Sequence, residues 1–206
     1  MIVRDLGSTE FDTCYDAMRR FTAARDLSTA DELWITEHPP VYTVGAAGRT
    51  QHLPGAGVDN SILVKRIDRG GQITYHGPGQ AIVYTLLDLT RSGLKVRALV
   101  QLLEQAVIDL LDSHHIQGSR RPAAPGVYVD GAKIAALGLR VTRRGCYHGV
   151  ALNVDMDLTP FNCIDPCGYP GLAVTQTRTL GVSARADEIG EALARRIATL
   201  MEPGHG

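Results

Sequence analysis

Residues 80–112 read QAIVYTLLDLTRSGLKVRALVQLLEQAVIDLLD, and this stretch contains the two patterns that decide the fold class. Residues 80–87 are apolar almost throughout, which predicts a β-strand covered on both faces. Residues 96–112 place leucine and alanine on one helical stripe and keep charged and amide side chains away from it, which predicts an amphipathic α-helix. A buried strand followed by such a helix indicates a β-sheet covered by helices.

The same patterns recur on both sides of this stretch. Apolar residues spaced three and four apart predict helices over residues 8–24 and 187–201. Pro39 and Pro40 interrupt an extended run, and Asp130-Gly131 is a strong hairpin signal. Further strands are predicted at residues 31–37, 41–44, 61–67, 126–129, 133–141 and 147–154. Interleaved strands and helices, some joined by hairpins, predict an α/β fold of the α+β type, a mixed β-sheet flanked by helices, in a single domain over residues 1–206.

Composition excludes several classes of function. The 206 residues include 21 Lys and Arg against 22 Asp and Glu, a net charge of −1, which argues against a nucleic-acid-binding protein. No run approaches ~18 apolar residues, so no membrane span is expected. The first residues lack the basic start and apolar run of a signal peptide, and four cysteines are too few for a disulfide framework. We therefore expect a cytoplasmic protein with free thiols.

Residues 69–80 (RGGQITYHGPGQ) form the first candidate for a binding site. Four glycines and a proline lie there together with Arg69, Tyr75 and His76 between two predicted strands. Glycine lets a ligand approach the backbone closely, so the segment is interpreted as a binding loop. It lacks the Gly-Lys-Ser/Thr of a phosphate-binding P-loop, and the strand that follows it does not fit a dinucleotide fingerprint.

Residues 161–171 (FNCIDPCGYPG) contain the candidate nucleophile, Cys167. Pro166 and Gly168 flank it, which favours an exposed thiol, and cysteine is strongly nucleophilic near neutral pH once its pKa is lowered. Lys133 opens an otherwise apolar strand, where it either extends its amine to solvent or stabilises a nearby thiolate.

The other cysteines, Cys14, Cys146 and Cys163, are expected to be small buried hydrophobes. A metal site formed by Cys146, His148, Cys163 and Cys167 is the less favoured alternative, because Cys163 and Cys167 miss the usual C-x-x-C spacing. No metal is therefore expected.

Five segments in a fixed order carry a family resemblance. They are RGGQITYHGPGQ (69–80), APGVYV (124–129), KIAALGLR (133–140), HGVALNV (148–154) and DPCGYPG (165–171). From about residue 5 to residue 179 the chain resembles the octanoyl transferases of lipoate biosynthesis, also called lipoate-protein ligase B. The resemblance implies the fold of biotin and lipoate ligase catalytic domains, in which a smaller sheet accompanies the mixed sheet.

The resemblance also implies a reaction. An octanoyl group passes from the phosphopantetheine of acyl carrier protein to a lysine on the lipoyl domains of 2-oxoacid dehydrogenase complexes and on the glycine cleavage H protein. Cys167 would carry the acyl group as a thioester and Lys133 would assist, with no ATP and no metal. The substrate-binding residues implied are Arg69, Gly70, Gly71, Gln72, Ile73, Thr74, Tyr75, His76, Ala136, Leu137, Gly138, Gly149, Val150 and Ala151. Ala136 replaces an expected serine, and Val150 stands where leucine is common.

Three other interpretations stay open at this stage. An ATP-dependent lipoate or biotin ligase would share the fold without needing a nucleophilic cysteine, and a non-catalytic module could bind acyl groups or a carrier. A thiol hydrolase would need a base such as His76, oriented by Asn153 or Asp155. Candidate oxyanion-hole donors are backbone N–H groups near Gly77-Pro78-Gly79 or Leu137-Gly138.

Overall fold

The computed structural model describes residues 1–49, 62–164 and 171–202. The strands are β1 (Ile2–Ser8), β2 (Glu32–Glu37), β3 (Val41–Val44), β4 (Leu63–Arg66), β5 (Ile73–His76), β6 (Gln80–Leu86), β7 (Val127–Val129), β8 (Ala132–Thr142) and β9 (Gly145–Asn153). The helices are α1 (Phe11–Ala24), α2 (Leu89–Ser92), α3 (Val96–Asp112) and α4 (Ala186–Leu200), and short 3₁₀ turns cover Thr159–Cys163 and Thr177–Leu180.

These strands form two sheets. The larger has six strands in the order β1-β2-β6-β9-β8-β7, with β1 parallel to β2 and the other pairs antiparallel. The smaller has the order β4-β3-β5, with β3 parallel to β4 and antiparallel to β5. The predicted mixed sheet with helices, and the smaller sheet that the resemblance implied, are both confirmed.

The large sheet is covered on both faces, as the apolar strand predicted. Every residue of β6 is buried. On one face Val83 and Leu152 pack with side chains of α3 and α4, such as Leu103 and Leu193. On the other face Tyr84 and its neighbours pack against Cys14 and Met18 of α1. The face covered by α1 is the one that carries the candidate site.

The structure corrects the sequence predictions at three places. Residues 2–8 form the edge strand β1, so the first helix begins at Phe11 rather than at residue 8. Residues 41–44 do not continue β2 but turn into the smaller sheet. A third of the segment interpreted as a loop, Ile73–His76, is strand β5, which pairs with β3 about thirty residues earlier in the chain. Such long-range pairing leaves no local trace in a glycine-rich sequence.

Candidate active site

A narrow cleft lies where α1, the smaller sheet and the large sheet meet. Of the fourteen residues that the resemblance implied for substrate binding, all but Gly70 and Tyr75 line it. Tyr75 turns away, and its ring packs 5.6 Å from that of Phe161 in a separate cluster. Gly70 donates its backbone N–H to the Leu139 carbonyl at 2.9 Å and borders a neighbouring groove. The structure thus brings together residues that lie up to 82 positions apart in the sequence.

The floor of the cleft consists of small residues from two neighbouring strands. Ala136 of β8 lies opposite Ala151 of β9, and Gly138 lies opposite Gly149. A Cβ atom added to Gly149 would lie 2.1 Å from the Val83 carbonyl oxygen, closer than any real contact. Glycine is therefore required there by the neighbouring backbone. The result is a flat surface on which a ligand can lie against the sheet.

Arg69 connects the two sheets beside this floor. Its guanidinium is buried and donates to the Thr43 carbonyl at 2.6 Å, to Thr43 Oγ1 at 2.9 Å and to the Gly70 carbonyl at 3.0 Å. A Cβ on Gly138 would come within 2.8 Å of Arg69 Cδ. Hydrogen bonds from a buried charged group contribute more than neutral ones, so Arg69 is held firmly against Thr43 of the smaller sheet while its stem packs against the floor at Gly138.

His76 forms a buried wall of the cleft. Its Nδ1 lies 2.8 Å from Gln80 Oε1, and Gln80 in turn donates to Asn153 Oδ1 at 2.9 Å. Burial lowers the pKa of His76 to about 3, and repulsion from nearby His38 adds to this effect. His76 is therefore neutral near pH 7. Its partner is Gln80 rather than Asn153 or Asp155, so the orienting contact that the hydrolase interpretation expected is not formed.

Sequence reasoning named His148 only as an alternative metal ligand and missed its place in the cleft, which it faces beside Asp68. Its Nε2 lies 3.2 Å from Asp68 Oδ1, and its ring stacks 5.5 Å from that of Tyr15. Strand alternation would point His148 away from its neighbour Tyr147, yet their ring centroids are only 5.0 Å apart. The backbone φ of +65° at His148, unusual for a residue other than glycine, brings both side chains to the α1 face.

Asp68 is held as a carboxylate by this arrangement. Burial alone would raise its pKa, but hydrogen bonds from His148, Tyr147 and Tyr15 outweigh it and hold the pKa well below the usual range. For His148 burial is the larger effect, and it lowers the pKa although the Asp68 carboxylate acts to raise it. The HGVALNV segment (148–154) indicated His148 only by resemblance, and nothing local marked Asp68.

Lys133 lies beyond the far end of the cleft. It is buried, so it does not extend its amine to solvent, and its ammonium donates to the Pro125 carbonyl at 2.9 Å. A small cavity bordered by Lys133 shares Thr74 and Ala136 with the cleft. Backbone hydrogen bonds of 2.8 and 3.0 Å join Lys133 to residues 173 and 175. Cys167 itself lies outside the described residues.

The remaining cysteines divide as follows. Cys14 and Cys146 are buried, as predicted, and burial raises the pKa of each thiol to about 11. Cys163 is only partly buried, which departs from the prediction. Within residues 1–49, 62–164 and 171–202, no three metal-ligating side chains come together. Neither buried thiol is a ready nucleophile at neutral pH.

Two further observations concern the backbone. The Gly79 N–H, one of the candidate oxyanion donors, is already donated to Glu37 Oε2 at 2.6 Å. It is therefore not available to a ligand, and Pro78 has no N–H, so the candidates that remain are Gly77 and residues 137–138. Among the helices that the structure describes, none is long and apolar enough to cross a bilayer.

Sequence comparison identifies a matching protein family and similar proteins. The model of the lipoyl protein ligase A/B catalytic domain matches residues 14–198. An octanoyltransferase of Thiobacillus denitrificans is 58% identical over 194 residues, covering 94% of this chain and 87% of the relative. An octanoyltransferase of Dechloromonas aromatica is 52% identical over 206 residues, covering 100% and 98%.

Solved structures match the fold at much lower identity. A lipoate-protein ligase A bound with ATP superimposes with a TM-score of 0.75 at 16% identity, covering 97% of this chain and 85% of the other. A biotin protein ligase from Aquifex aeolicus gives 0.57 at 12% identity, covering 98% and 69%. These likenesses confirm the ligase-type fold that the sequence resemblance implied.

The depressed pKa of His76 predicts a pH-dependent contribution to stability. Between its ordinary value of 6.5 and about 3, the unfolded chain binds a proton at His76 that the folded chain does not, so stability falls as pH falls through this window. The slope for one proton is about 1.4 kcal/mol per pH unit. Urea unfolding gives the free energy of unfolding of the wild type and of His76→Gln. The value for the wild type, relative to that for His76→Gln, should therefore fall by about 2 kcal/mol from pH 7.5 to pH 5. A difference that stays constant over this range would show that His76 is not held neutral by the fold.

Proposed function

The chain belongs to the lipoyl protein ligase A/B catalytic-domain family and is an acyltransferase, and on this premise we propose that it transfers an octanoyl group from acyl carrier protein to a lysine of lipoyl domains. The acceptors proposed are those of 2-oxoacid dehydrogenase complexes and of the glycine cleavage H protein. The observation that carries the proposal is the 58% identity, over 94% of the chain, to a relative named octanoyltransferase.

The shape of the cleft supports an acyl substrate. A flexible alkyl chain needs an apolar surface without projecting side chains, and the floor of alanines and glycines offers one. Phe11, Ile73 and Ile82 add buried apolar walls. Each CH₂ group removed from water contributes about 0.8 kcal/mol, so eight carbons laid along this floor would bind with useful affinity.

The proposed chemistry has two steps, and neither requires ATP or a metal. The Cys167 thiolate attacks the carbonyl carbon of the donor thioester, a new S–C bond forms, and the phosphopantetheine sulfur leaves and takes a proton. The amine of the acceptor lysine then attacks the same carbonyl carbon, loses a proton and releases Cys167. The first step exchanges one thioester for another, and the second forms a more stable amide, so the sequence runs downhill.

Lys133 is proposed to assist both steps. Its buried ammonium would favour the thiolate form of a neighbouring cysteine by charge attraction, and it could give a proton to the departing thiol. Its location supports this role in two ways. Residues 173 and 175, which bond to the Lys133 backbone, follow Cys167 by six and eight positions. The small cavity at Lys133 also adjoins the end of the cleft.

The cysteine mechanism predicts a covalent intermediate. The wild type, incubated with octanoyl-acyl carrier protein in the absence of ATP, should gain the mass of one octanoyl group, and peptide mapping should place it on Cys167. Adding a lipoyl domain should remove it. Cys167→Ala should gain nothing, whereas Cys163→Ala, the matched control in the same segment, should label like the wild type.

Three results would contradict the mechanism. An octanoyl group found on Cys163 would identify that residue, and not Cys167, as the nucleophile. Normal transfer without any adduct would exclude a cysteine intermediate. A strict requirement for ATP would favour the ligase interpretation.

The acyl-binding role of the floor makes a separate prediction. In Ala136→Leu the larger side chain occupies the floor near Thr74, so kcat/KM for the octanoyl donor should fall by about tenfold or more, as expected when a few methyl groups block an apolar pocket. A butanoyl donor, which needs less of the floor, should be less affected. Ala24→Leu at the exposed end of α1 is the control. Equal losses for both donors would show that the chain does not lie across Ala136.

A further inference from the structure

A second, larger depression lies next to the cleft, between the second half of α1 and the turn that joins β8 to β9. It is an open depression of about 710 Å³, and four arginines border it, namely Arg19, Arg20, Arg143 and Arg144. The one carboxylate among its lining residues is Asp16. We call this depression the arginine groove. Four guanidinium groups against one carboxylate form a strong local excess of positive charge in a chain whose net charge is −1.

Much of this charge is not used to stabilise the fold. All four arginines are exposed. Arg144 donates to the Arg25 carbonyl at 3.2 Å, and Arg19 lies over the Tyr15 ring and 3.8 Å from Asp16. Within the part of the chain that the structure describes, the side chains of Arg20 and Arg143 make no hydrogen bond or ion pair. Clustered like charges repel one another, and an anion bound between them would relieve this repulsion.

The arginine groove and the cleft share a wall. Tyr147 lines the groove, and the adjacent residue His148 lines the cleft, with 5.0 Å between their rings. Helix α1 makes the same connection, because Phe11 at its start lines the cleft and Arg19 lies eight residues further on, about 12 Å along the axis. A ligand anchored in the groove could therefore extend an arm along α1 into the cleft.

The chemistry of the groove selects one of the two substrates. Guanidinium groups present paired N–H donors that match phosphate oxygens, and arginine is preferred where phosphate is bound. In the proposed reaction the donor carries its acyl group on a phosphate-linked arm, whereas the acceptor presents a lysine, a cation. A groove lined by arginines would repel that lysine and attract the phosphate.

We infer that the arginine groove is the docking site of the acyl donor and binds the phosphate of its prosthetic arm together with acidic side chains of the carrier around it. This inference rests on the proposed function, because it assigns a surface to one of the two substrates. The donor would then approach the cleft from the side of α1 and the β8–β9 turn. The acceptor then reaches the cleft from elsewhere.

The test compares a full donor with a truncated one. Steady-state kcat/KM is measured for octanoyl-acyl carrier protein and for octanoyl-N-acetylcysteamine, a thioester that lacks both the phosphate and the carrier. In the double variant R20E/R143E the ratio of the two values should fall by about tenfold or more, because charges at the edge of an interface act mainly on encounter and orientation. The control R97E/R195E changes the net charge by the same amount on α3 and α4 and should keep the wild-type ratio.

Salt provides a second readout. Added salt screens exposed charges, so raising the ionic strength from about 0.05 to about 0.5 M should raise the KM of the wild type for the carrier donor. The same change should have little effect on R20E/R143E.

Each outcome identifies what has failed. If the wild type uses neither donor, the proposed function is wrong. If it uses both, and the ratio in R20E/R143E equals that of the wild type, the docking site is wrong while the proposed function stands. If R20E/R143E instead raises only the KM for the lipoyl domain, the groove binds the acceptor and the inference is overturned.

Discussion

The shape of the candidate site depends on two cross-strand pairs at the centre of the large sheet. Ala136 opposite Ala151 and Gly138 opposite Gly149 leave one face of the sheet almost bare where α1 and the smaller sheet approach it. Larger side chains at these positions would fill the space, and at Gly149 they would collide with the backbone of β6. The cleft is therefore a gap that the pairing register itself creates. Buried Arg69 lies at its side, bonded to Thr43 of the smaller sheet and packed against Gly138 of the floor.

The histidines around this floor are buried, and each has a hydrogen-bond partner. His76 bonds to Gln80, His148 to Asp68, and His38 lies 2.7 Å from the hydroxyl of Tyr84. Burial keeps these imidazoles neutral, so they shape the cleft and orient hydrogen bonds without adding charge to it. Neutral imidazoles suit an uncharged acyl thioester, and the charged guanidinium of Arg69 is directed at Thr43 and Gly70. The charges that attract a charged partner lie outside, in the arginine groove, where water and salt can screen them.

Sequence patterns were sufficient for the main elements of the fold and for much of the site. The apolar strand at residues 80–87 and the amphipathic helix at residues 96–112 were predicted correctly. Burial on both faces requires a continuous apolar run, and burial on one face requires apolar residues at regular spacing, so both are visible in the sequence. The set of cleft residues followed from the family segments, and the structure brings nearly all of them together. Their roles in binding substrate remain predictions, as do those of Cys167 and Lys133.

Other features could not be read from local sequence, for identifiable reasons. Strand β5 owes its existence to pairing with β3, and β1 is an exposed edge strand without an apolar period. His148 reaches the cleft because its backbone adopts a positive φ, which no side-chain pattern encodes. The arginine groove joins residues about 125 positions apart, and a net charge near zero conceals it.

We propose that the acyl chain lies on the small-residue floor while it is bonded to Cys167. A crystal structure of the protein trapped with an octanoyl group tests this most directly. We expect continuous density from the Cys167 sulfur, past Lys133 and Thr74, along the surface formed by Ala136, Ala151, Gly138 and Gly149. Density for the chain in any other depression, such as the groove bordered by Val96 and Val100, would contradict it.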